Sequence, residues 1–585
     1  MHITRRLAGF AAVGLAAALA LAACADEGGD GGDDGATPSW DDCADDPNNC
    51  NSGETAQGGQ IVWAFEQEQA SWNQQTATGN TFVLAQIVDR FLPSTGRFLP
   101  DGTWEWNLDL LAAEPQLTSE EPQTWVYQIR PEAKWNDGTD ITADDFIWLW
   151  KHNAADPDLC DGCDPAGSGG YDAMESVVGS DNGKTVTVTL KEGQKFAEWQ
   201  FLFTQMYPAH IAAAQGFDLD TPEGMKQSSD YFAETQPTYS GGPFQVAQAD
   251  LRQQIILERN PNYYGDPAPL DQITFRIITE QDALVTAMSS GEIDGAGPQP
   301  NQDMVTQISQ MPNVLSHVGA GYQWEHLDLN LENEFLADVE LRRAIFTAID
   351  INNINQRTFA SFFPDVEQKM NHLFLKTDPY YVDHISGTGQ GSGDVQAAMD
   401  ILTAAGYTLE GDQLMTPDGD PVGPLRFVHT EGNQLRATTA QLVQEDLAEI
   451  GIPVTIETTA DLGLTLAEGD FDIMIFAWVG SPAFQTSGNQ FWACEGGGNY
   501  GHYCNEEVDR LVNEALNQID LADVADLLNQ AMEIVVNEAY VLPISDKPVY
   551  AFANADYLNI RPNFTNSGVP YNAEEWGLAA TAAAE

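Results

Sequence analysis

The sequence predicts an α/β protein with several sheets and more than one domain. Strand-like and helix-like segments are mixed along the chain, and there is no internal repeat. The chain has 585 residues, whereas a single hydrophobic core seldom serves more than about 250–300 residues. We therefore expect two or three folding units, and the 43% of hydrophobic residues is enough to fill their cores.

The clearest strands and helices follow from residue periodicity. Strands are predicted where β-branched and apolar residues alternate or run together, over 61–65, 125–129 and 185–190. A helix over 142–151 follows the capping residue Thr142 and has two aspartates in its first turn. Further helices with apolar faces are predicted over 339–349, 394–405, 435–450 and 506–517.

The first 24 residues have the features of a bacterial lipoprotein signal peptide. Arg5 and Arg6 precede an apolar run over 7–21, which is too short for a comfortable membrane span. The run ends in the letters LAAC, which resemble the lipobox whose cysteine, here Cys24, is lipidated. A lipid anchor would hold the chain on the extracytoplasmic face of the bacterial cell membrane. The alternative is an ordinary secretory peptide with an incidental cysteine.

Residues 25–58 are predicted to form a flexible acidic tether, because glycine and aspartate dominate the segment. An EF-hand calcium loop is disfavoured, since its ligand spacing and closing glutamate are missing. Apart from Cys24, the cysteines lie in neighbouring pairs, which predicts local disulfide loops in an exported protein: Cys43–Cys50, Cys160–Cys163 and Cys494–Cys504. A redox or metal role for Cys160 and Cys163 is the alternative.

Charge and missing motifs exclude several functions. The chain carries 24 basic and 88 acidic residues, a net charge of −64, which repels nucleic acid and anionic lipid. Adaptation to high salt is one explanation of this charge. The sequence has no Gly-x-Ser-x-Gly, no His-Glu-x-x-His, and no metal-ligand spacing among its nine histidines. The segment 179–185 resembles a phosphate-binding loop but precedes a strand, so we interpret it as a hairpin turn. We expect no catalytic residue, no metal and no cofactor, and no enzymatic activity.

A series of short motifs runs through the chain in a fixed order. In the first half they are KWNDGTDITADDF (134–146), SGGPF (240–244), ILERNPNYY (256–264) and SGEID (290–294). In the second half they are LRRAI to AID (341–350), AAGY (404–407), IGIPV (450–454), GDFDIM (469–474) leading to Trp478, NY (499–500) and CNEEVD (504–509). Together, from about residue 61 to 560, they resemble the peptide/nickel-binding family 5 of ABC-transporter solute-binding proteins.

The resemblance implies a bilobed, periplasmic-binding-protein-like fold of class II, with mixed sheets, flanking helices and a hinge between the lobes. It implies three domains. Domain I comprises 59–105, 238–322 and 546–585, domain II is inserted over 106–237, and domain III covers 323–545. Such a protein is expected to be a monomer that closes over a peptide or peptide-like solute and delivers it to an ABC permease and ATPase. An extracellular sensor of the same fold is the alternative.

The same resemblance places the ligand against two segments, Gly79-Asn80-Thr81 and Ala477-Trp478-Val479-Gly480-Ser481. In many peptide binders of the family an aspartate shortly after the tryptophan pairs with the ligand's amino group. Here that position is Ser481, so a blocked peptide or another small solute is an alternative ligand. Other acids that could substitute are Glu66, Glu68 and Glu431, and Arg436 is either a contact for a ligand carboxylate or a solvated arginine on a helix surface.

We predict that Cys24→Ser releases the protein from the membrane, because the acyl chains attached to Cys24 supply the anchor. The measurement is the distribution of the protein between membrane fraction and culture medium, with the unaltered chain as control. A Cys24→Ser protein that stays in the membrane fraction would contradict lipid anchoring.

Overall fold

The structure, a computed structural model of the chain, describes residues 39–459 and 462–580. The predicted signal peptide, the lipidation site Cys24 and the start of the predicted tether lie outside the described residues. Within the described ranges, no helix has both the length and the apolar character that crossing a membrane requires.

The described ranges contain twenty strands. They are β1 Gln60–Phe65, β2 Gly96–Phe98, β3 Trp104–Trp106, β4 Gln116–Glu120, β5 Gln123–Gln128, β6 Met174–Ser180, β7 Thr185–Leu190, β8 Phe244–Asp250, β9 Gln254–Arg259, β10 Gln272–Ile277, β11 Gly295–Ala296, β12 Val314–Leu329, β13 Thr408–Glu410, β14 Gln413–Met415, β15 Leu425–Thr430, β16 Val454–Thr459, β17 Ile473–Val479, β18 Val541–Asn554, β19 Tyr557–Leu558 and β20 Gly577–Leu578.

Fourteen α-helices occur in the same ranges. They are α1 Phe82–Val88, α2 Ala143–Asn153, α3 Ala209–Ala214, α4 Pro222–Glu234, α5 Gln281–Ser289, α6 Gln302–Ile308, α7 Val339–Ala348, α8 Ile351–Thr358, α9 Val395–Ala404, α10 Gln434–Glu449, α11 Leu462–Glu468, α12 Ser487–Trp492, α13 Glu506–Ala515 and α14 Leu521–Asn537. Three short 3-10 helices cover Asp41–Ala44, Ala197–Phe201 and Val569–Asn572.

Ten strands form one mixed sheet that runs through the body of the molecule, in the order β16-β15-β17-β12-β18-β11-β1-β10-β9-β8. Strand β1 is parallel to β10 and β11, whereas β12 is antiparallel to both β17 and β18. A separate antiparallel sheet, β4-β5-β7-β6, lies within the range predicted as the inserted domain. The predicted α/β fold with several sheets is confirmed, and the ten-stranded sheet is the mixed one among those described.

Separate hydrophobic cores divide the body into two lobes. The first lobe, residues 39–322 and 546–580, is built around buried aromatic rings such as Trp63, whose ring centroid lies 5.2 Å from that of Trp576. In the second lobe, residues 323–459 and 462–545, helices cover both faces of the sheet. Helices α7 to α10 pack on the face that carries Leu327, and α12 to α14 pack on the face that carries Trp324. The bilobed fold follows from these distinct cores.

Among the strands of the described ranges, only β12 and β18 run from one lobe into the other. Their pairing shifts register between Ala320 and Trp324 and again between Glu325 and His326. A register shift interrupts the regular ladder and lets a strand pair bend. The predicted ends of domain III, at 322/323 and 545/546, fall at this interruption, which favours a hinge here. The division of the chain into three domains stays a prediction.

Several elements form for the reasons that the sequence predicts. Thr142 caps α2, and the carboxylate of Asp145 accepts the backbone N–H of Thr142 at 3.0 Å, which completes a capping box. Strand β7 covers the predicted range. Before it, Asp181, Asn182 and Gly183 have φ of 52°, 58° and 80°. The segment 179–185 is therefore a hairpin turn between β6 and β7.

The three predicted disulfides are present, and the first one joins a packed segment. The indole N–H of Trp40 donates to the carbonyl oxygen of Ile560 at 2.9 Å, and Arg561 Nε donates to the carbonyl oxygen of Cys50 at 3.0 Å. Trp40 and Cys50 are buried. Residues 39–58 thus pack on the first lobe, which differs from the flexible tether predicted over 25–58. The reason is that a buried tryptophan and a disulfide outweigh the local acidic charge.

Candidate ligand-binding cleft

The two predicted ligand segments belong to different lobes. Gly79-Asn80-Thr81 lies in the first lobe, directly before α1. Ala477, Trp478 and Val479 end β17 in the second lobe, where Trp478 pairs with Trp324 of β12. The side chain of Val479 lies outside the described part of the chain. The placement in opposite lobes agrees with a ligand held between them.

Trp478 is half-buried and is surrounded by other rings. Its ring centroid lies 4.3 Å from that of Phe491 and 5.7 Å from that of Tyr500, with the Tyr500 ring nearly parallel. His326 stacks at 6.1 Å. Trp478 is thus part of an aromatic cluster whose central indole remains partly accessible, and its role as a ligand contact stays a prediction.

Ser481 does not replace the family's aspartate as a counter-charge. Its hydroxyl donates to the carbonyl oxygen of Ala483 at 2.9 Å and accepts the N–H of the same residue at 3.1 Å. Just before it, Gly480 donates its N–H to the carbonyl oxygen of Tyr322 at 3.0 Å. The hydroxyl of Ser481 is thus used to close a local turn.

Gly79, Asn80 and Thr81 form a tight turn rather than an open strand edge. The N–H groups of Gly79 and Asn80 both donate to the carbonyl oxygen of Thr76, at 3.1 and 2.9 Å, and the N–H of Thr81 donates to that of Gly79 at 2.7 Å. A Cβ on Gly79 would lie 1.8 Å from the carbonyl oxygen of Asn73, so only glycine fits there. All three N–H groups are used locally and are not available to an extended ligand.

A cavity of about 180 Å³ opens between the lobes beside the two crossing strands. Gln299 and Pro300 contribute from the first lobe, after β11. The second lobe contributes ionic side chains and an apolar wall formed by Phe359, Phe362, Leu435, Ile475 and Ile544. Small-molecule sites commonly combine such apolar walls with a few fixed polar groups. Neither of the two predicted ligand segments lines this cavity.

Three charged side chains meet in this cavity. Arg436 makes a bidentate pair with Glu325, with Nη2–Oε1 at 3.0 Å and Nε–Oε2 at 3.3 Å, and its Nη1 donates to Thr430 Oγ1 at 2.9 Å. Lys547 Nζ lies 3.8 Å from the same Glu325 Oε1. Arg436 is 8% exposed and Glu325 is 6% exposed. Among the ionisable side chains that line this cavity, two cations therefore share one anion, and an anionic ligand group can neutralise the positive charge left over from these three.

This geometry corrects the interpretation of Arg436 as a solvated arginine on a helix surface. Arg436 lies in the first turn of α10, after the capping residue Asn433, and points inward. Local sequence patterns do not predict this site, because Glu325 lies 111 residues before Arg436 and Lys547 lies 111 residues after it. Burial lowers the pKa of Lys547, while the carboxylate of Glu325 opposes that change.

The three acids that could substitute for the missing aspartate differ in position. Glu66 ends near the cavity, since its carboxylate accepts the N–H of the lining residue Gln299 at 2.8 Å. Burial raises the pKa of Glu66. Glu68 is exposed, with Arg252 at 3.9 Å, and Glu431 is exposed. Glu66 is thus the one of these three that borders the cavity. Within the described ranges, no group of three or more His, Cys, Asp or Glu side chains has the geometry to hold a metal ion.

Two lobes joined by two crossing strands, with a partly apolar cavity between them, define a solute-binding protein. The family model of the bacterial extracellular solute-binding proteins, family 5, middle part, matches residues 109–500. Because this match covers more than half of the chain, the chain belongs to this family. Members of the family are binding proteins of ABC import systems rather than enzymes. The resemblance noted in the sequence is confirmed.

Two of the relatives that the chain resembles are named as peptide-binding proteins. The chain is 27% identical to the oligopeptide-binding protein OppA of Mycobacterium tuberculosis over 503 residues, which cover 84% of this chain and 80% of OppA. It is 24% identical to the dipeptide-binding protein DppE of Bacillus subtilis, over 74% of this chain and 77% of that protein.

Two solved structures are similar to this chain. The periplasmic EDTA-binding protein EppA superposes with a TM-score of 0.83 and 31% identity, covering 91% of this chain and 99% of EppA. The oligopeptide-binding protein AppA of Bacillus subtilis, solved with a nonapeptide, superposes with a TM-score of 0.68 and 20% identity, covering 90% and 100% of the two chains. The second likeness shows the shared fold.

We predict that Trp478→Ala weakens binding of the co-purified solute on the order of tenfold, because a half-buried aromatic wall is lost. Titration calorimetry measures the affinity, and a thermal melt shows whether the fold is kept. Trp106→Ala is the matched control, since Trp106 is also half-buried but lies in the first lobe outside this cleft. An unchanged affinity in Trp478→Ala would rule out the wall.

Proposed function

We propose that this chain is a lipid-anchored, monomeric solute-binding protein that captures a carboxylate-bearing peptide or peptide-like solute between its lobes. It delivers that solute, chemically unchanged, to an ABC permease and ATPase on the extracytoplasmic side of the cell membrane. The observation that supports the ligand class is the buried pair of Arg436 and Glu325 with the half-buried Lys547 beside it. Its excess positive charge is best neutralised by a carboxylate, because an uncompensated buried charge is costly.

The peptide-binding relatives support a peptide-like ligand, and the geometry at Ser481 limits which peptide it is. The serine hydroxyl is bonded to Ala483, so no acid stands at the position where the family's aspartate meets a free amino group. We infer that a blocked or modified amino end is preferred, or that Glu66 supplies the counter-charge from the first lobe.

A small polycarboxylate is a second candidate ligand. It is favoured by the excess positive charge of the cavity and by the likeness to EppA, which is named as an EDTA-binding protein and is 31% identical. A polycarboxylate needs cationic partners and no counter-charge for an amino group. A third candidate, an extracellular sensor of the same fold, would be favoured by a gene neighbourhood without a permease and an ATPase.

The direct test is to identify the solute that co-purifies with the protein. Native mass spectrometry gives the mass of the bound compound, and fragmentation gives its class. A carboxylate-bearing peptide, or a polycarboxylate, is expected, recovered intact after prolonged incubation. A solute without an acidic group would contradict the assigned ligand class, and a hydrolysed product would contradict the proposal that the protein is not an enzyme.

We predict that Lys547→Gln lowers the affinity for a carboxylate solute by about tenfold, since one charge-assisted contact is lost. Binding of the amidated form of the same solute should change little. Arg252→Gln is the control, because Arg252 is an exposed arginine of the first lobe with 77% of its side chain accessible. Equal losses for the carboxylate and the amide would show that Lys547 does not contact the acid group.

A further inference from the structure

The two lobes also touch at a point away from the crossing strands. Glu198 lies in the 3-10 helix Ala197–Phe201 of the first lobe, and Gln485 lies between β17 and α12 of the second lobe. Glu198 is 6% exposed and Gln485 is fully buried. Two polar side chains buried at the junction of two lobes need hydrogen-bond partners there, because an unpaired buried polar group is destabilising.

The partners are reciprocal. Oε1 of Glu198 accepts the backbone N–H of Phe484 and, at 2.7 Å, that of Gln485. In return, Oε1 of Gln485 accepts the N–H of Ala197 at 2.9 Å and that of Glu198 at 3.3 Å. Each lobe thus contributes one side-chain acceptor and two backbone donors. We call these four hydrogen bonds the Glu198–Gln485 contact.

The side chain of Gln485 is held in place by its own lobe. Gln485 Nε2 donates to the carbonyl oxygens of Ala515 and Leu516, at 3.1 and 3.2 Å, at the end of α13. Its acceptor oxygen is therefore already aimed when the lobes meet. Ala197 inserts into the second-lobe core beside Phe484, which adds only a small apolar surface. Such a contact is specific in geometry, and water can replace its hydrogen bonds when the lobes separate.

We propose that the Glu198–Gln485 contact is a latch that holds the lobes closed over the solute, so that release requires its four hydrogen bonds to break. The register shifts of β12 and β18 leave the rotation between the lobes weakly restrained at the crossing strands. The latch, which lies away from these strands, restrains that rotation. The latch rests on the proposed function, because it requires lobes that open and close around a solute. Its test uses the protein without any solute.

Proton binding gives the latch a pH dependence. Burial raises the pKa of Glu198 to about 7, although the N–H groups of Gln485 and Phe484 oppose the shift, and no charged side chain of the described residues contributes. Both backbone donors bond to Oε1, which leaves Oε2 to hold the proton. When the lobes open, the carboxyl returns to water and to its ordinary lower pKa. Closure therefore takes up a proton, is most favourable below the open-state pKa and weakens as pH rises through about 7.

The latch is tested by hydrogen exchange of the peptide that contains the amides of Phe484 and Gln485, in the purified protein without added solute. We expect Glu198→Ala to speed this exchange by about 10- to 100-fold, since two hydrogen bonds to a buried acceptor are lost. Glu198→Gln is the matched control, because its amide keeps an acceptor at the position of Oε1 and should keep the protection. Gln485→Ala should also speed the exchange, by removing the reciprocal acceptor.

Three outcomes would overturn the latch. The first is unchanged exchange of the two amides in Glu198→Ala. The second is an unaltered protein in which they exchange as slowly as the core amides of β7, which would show a permanent contact that never opens. The third is a loss of protection throughout the second lobe in both alanine variants, which would show that the contact stabilises the fold of that lobe instead of latching the two lobes together.

The pH dependence is tested by comparing pH 6 with pH 8 after correction for intrinsic exchange. The unaltered protein should lose more protection than Glu198→Gln on going to the higher pH. Equal losses would remove the role of the proton and leave the hydrogen-bonded latch as proposed. Because no solute is present, failure of this test is distinct from failure of the proposed ligand class.

Discussion

The antiparallel pairing of β12 with β18 is the interaction on which the arrangement of the molecule depends. It places two strands of 16 and 14 residues side by side and carries both across the boundary between the lobes. The N-terminal part of β12 and the C-terminal part of β18 lie in the first lobe. The C-terminal part of β12 and the N-terminal part of β18 lie in the second lobe. Because the register shifts where the lobes meet, the pair joins the two bodies and leaves a place for them to bend.

The charged group in the cavity is built on these same strands. Glu325 lies in β12, Lys547 lies in β18, and Arg436 is added from α10. A ligand group that neutralises the excess positive charge therefore acts on the segment where the lobes bend. This placement gives a physical route by which solute binding favours closure, since a solute shifts the lobes toward the arrangement in which it has the most contacts.

The described contacts between the lobes differ in kind from the lobe cores. Within each lobe, stability comes from burial of large apolar side chains such as Trp63 and Leu327. The Glu198–Gln485 contact instead depends on hydrogen bonds, with Ala197 as its small apolar part. Cores of this kind keep each lobe intact, whereas a hydrogen-bonded contact between lobes can open at low cost. A binding protein that must release its solute requires this difference.

The sequence by itself determined the local features and the family. The cap at Thr142, the strand β7, the hairpin turn at 181–183 and the cysteine pairs depend on neighbours within a few residues, so periodicity and spacing predict them. Only the tertiary structure decided the packing of Trp40, the burial of Arg436 beside Glu325 and Lys547, and the pairing of Glu198 with Gln485. Each of these contacts joins residues more than a hundred positions apart, and its strength comes from burial, which the folded chain alone creates.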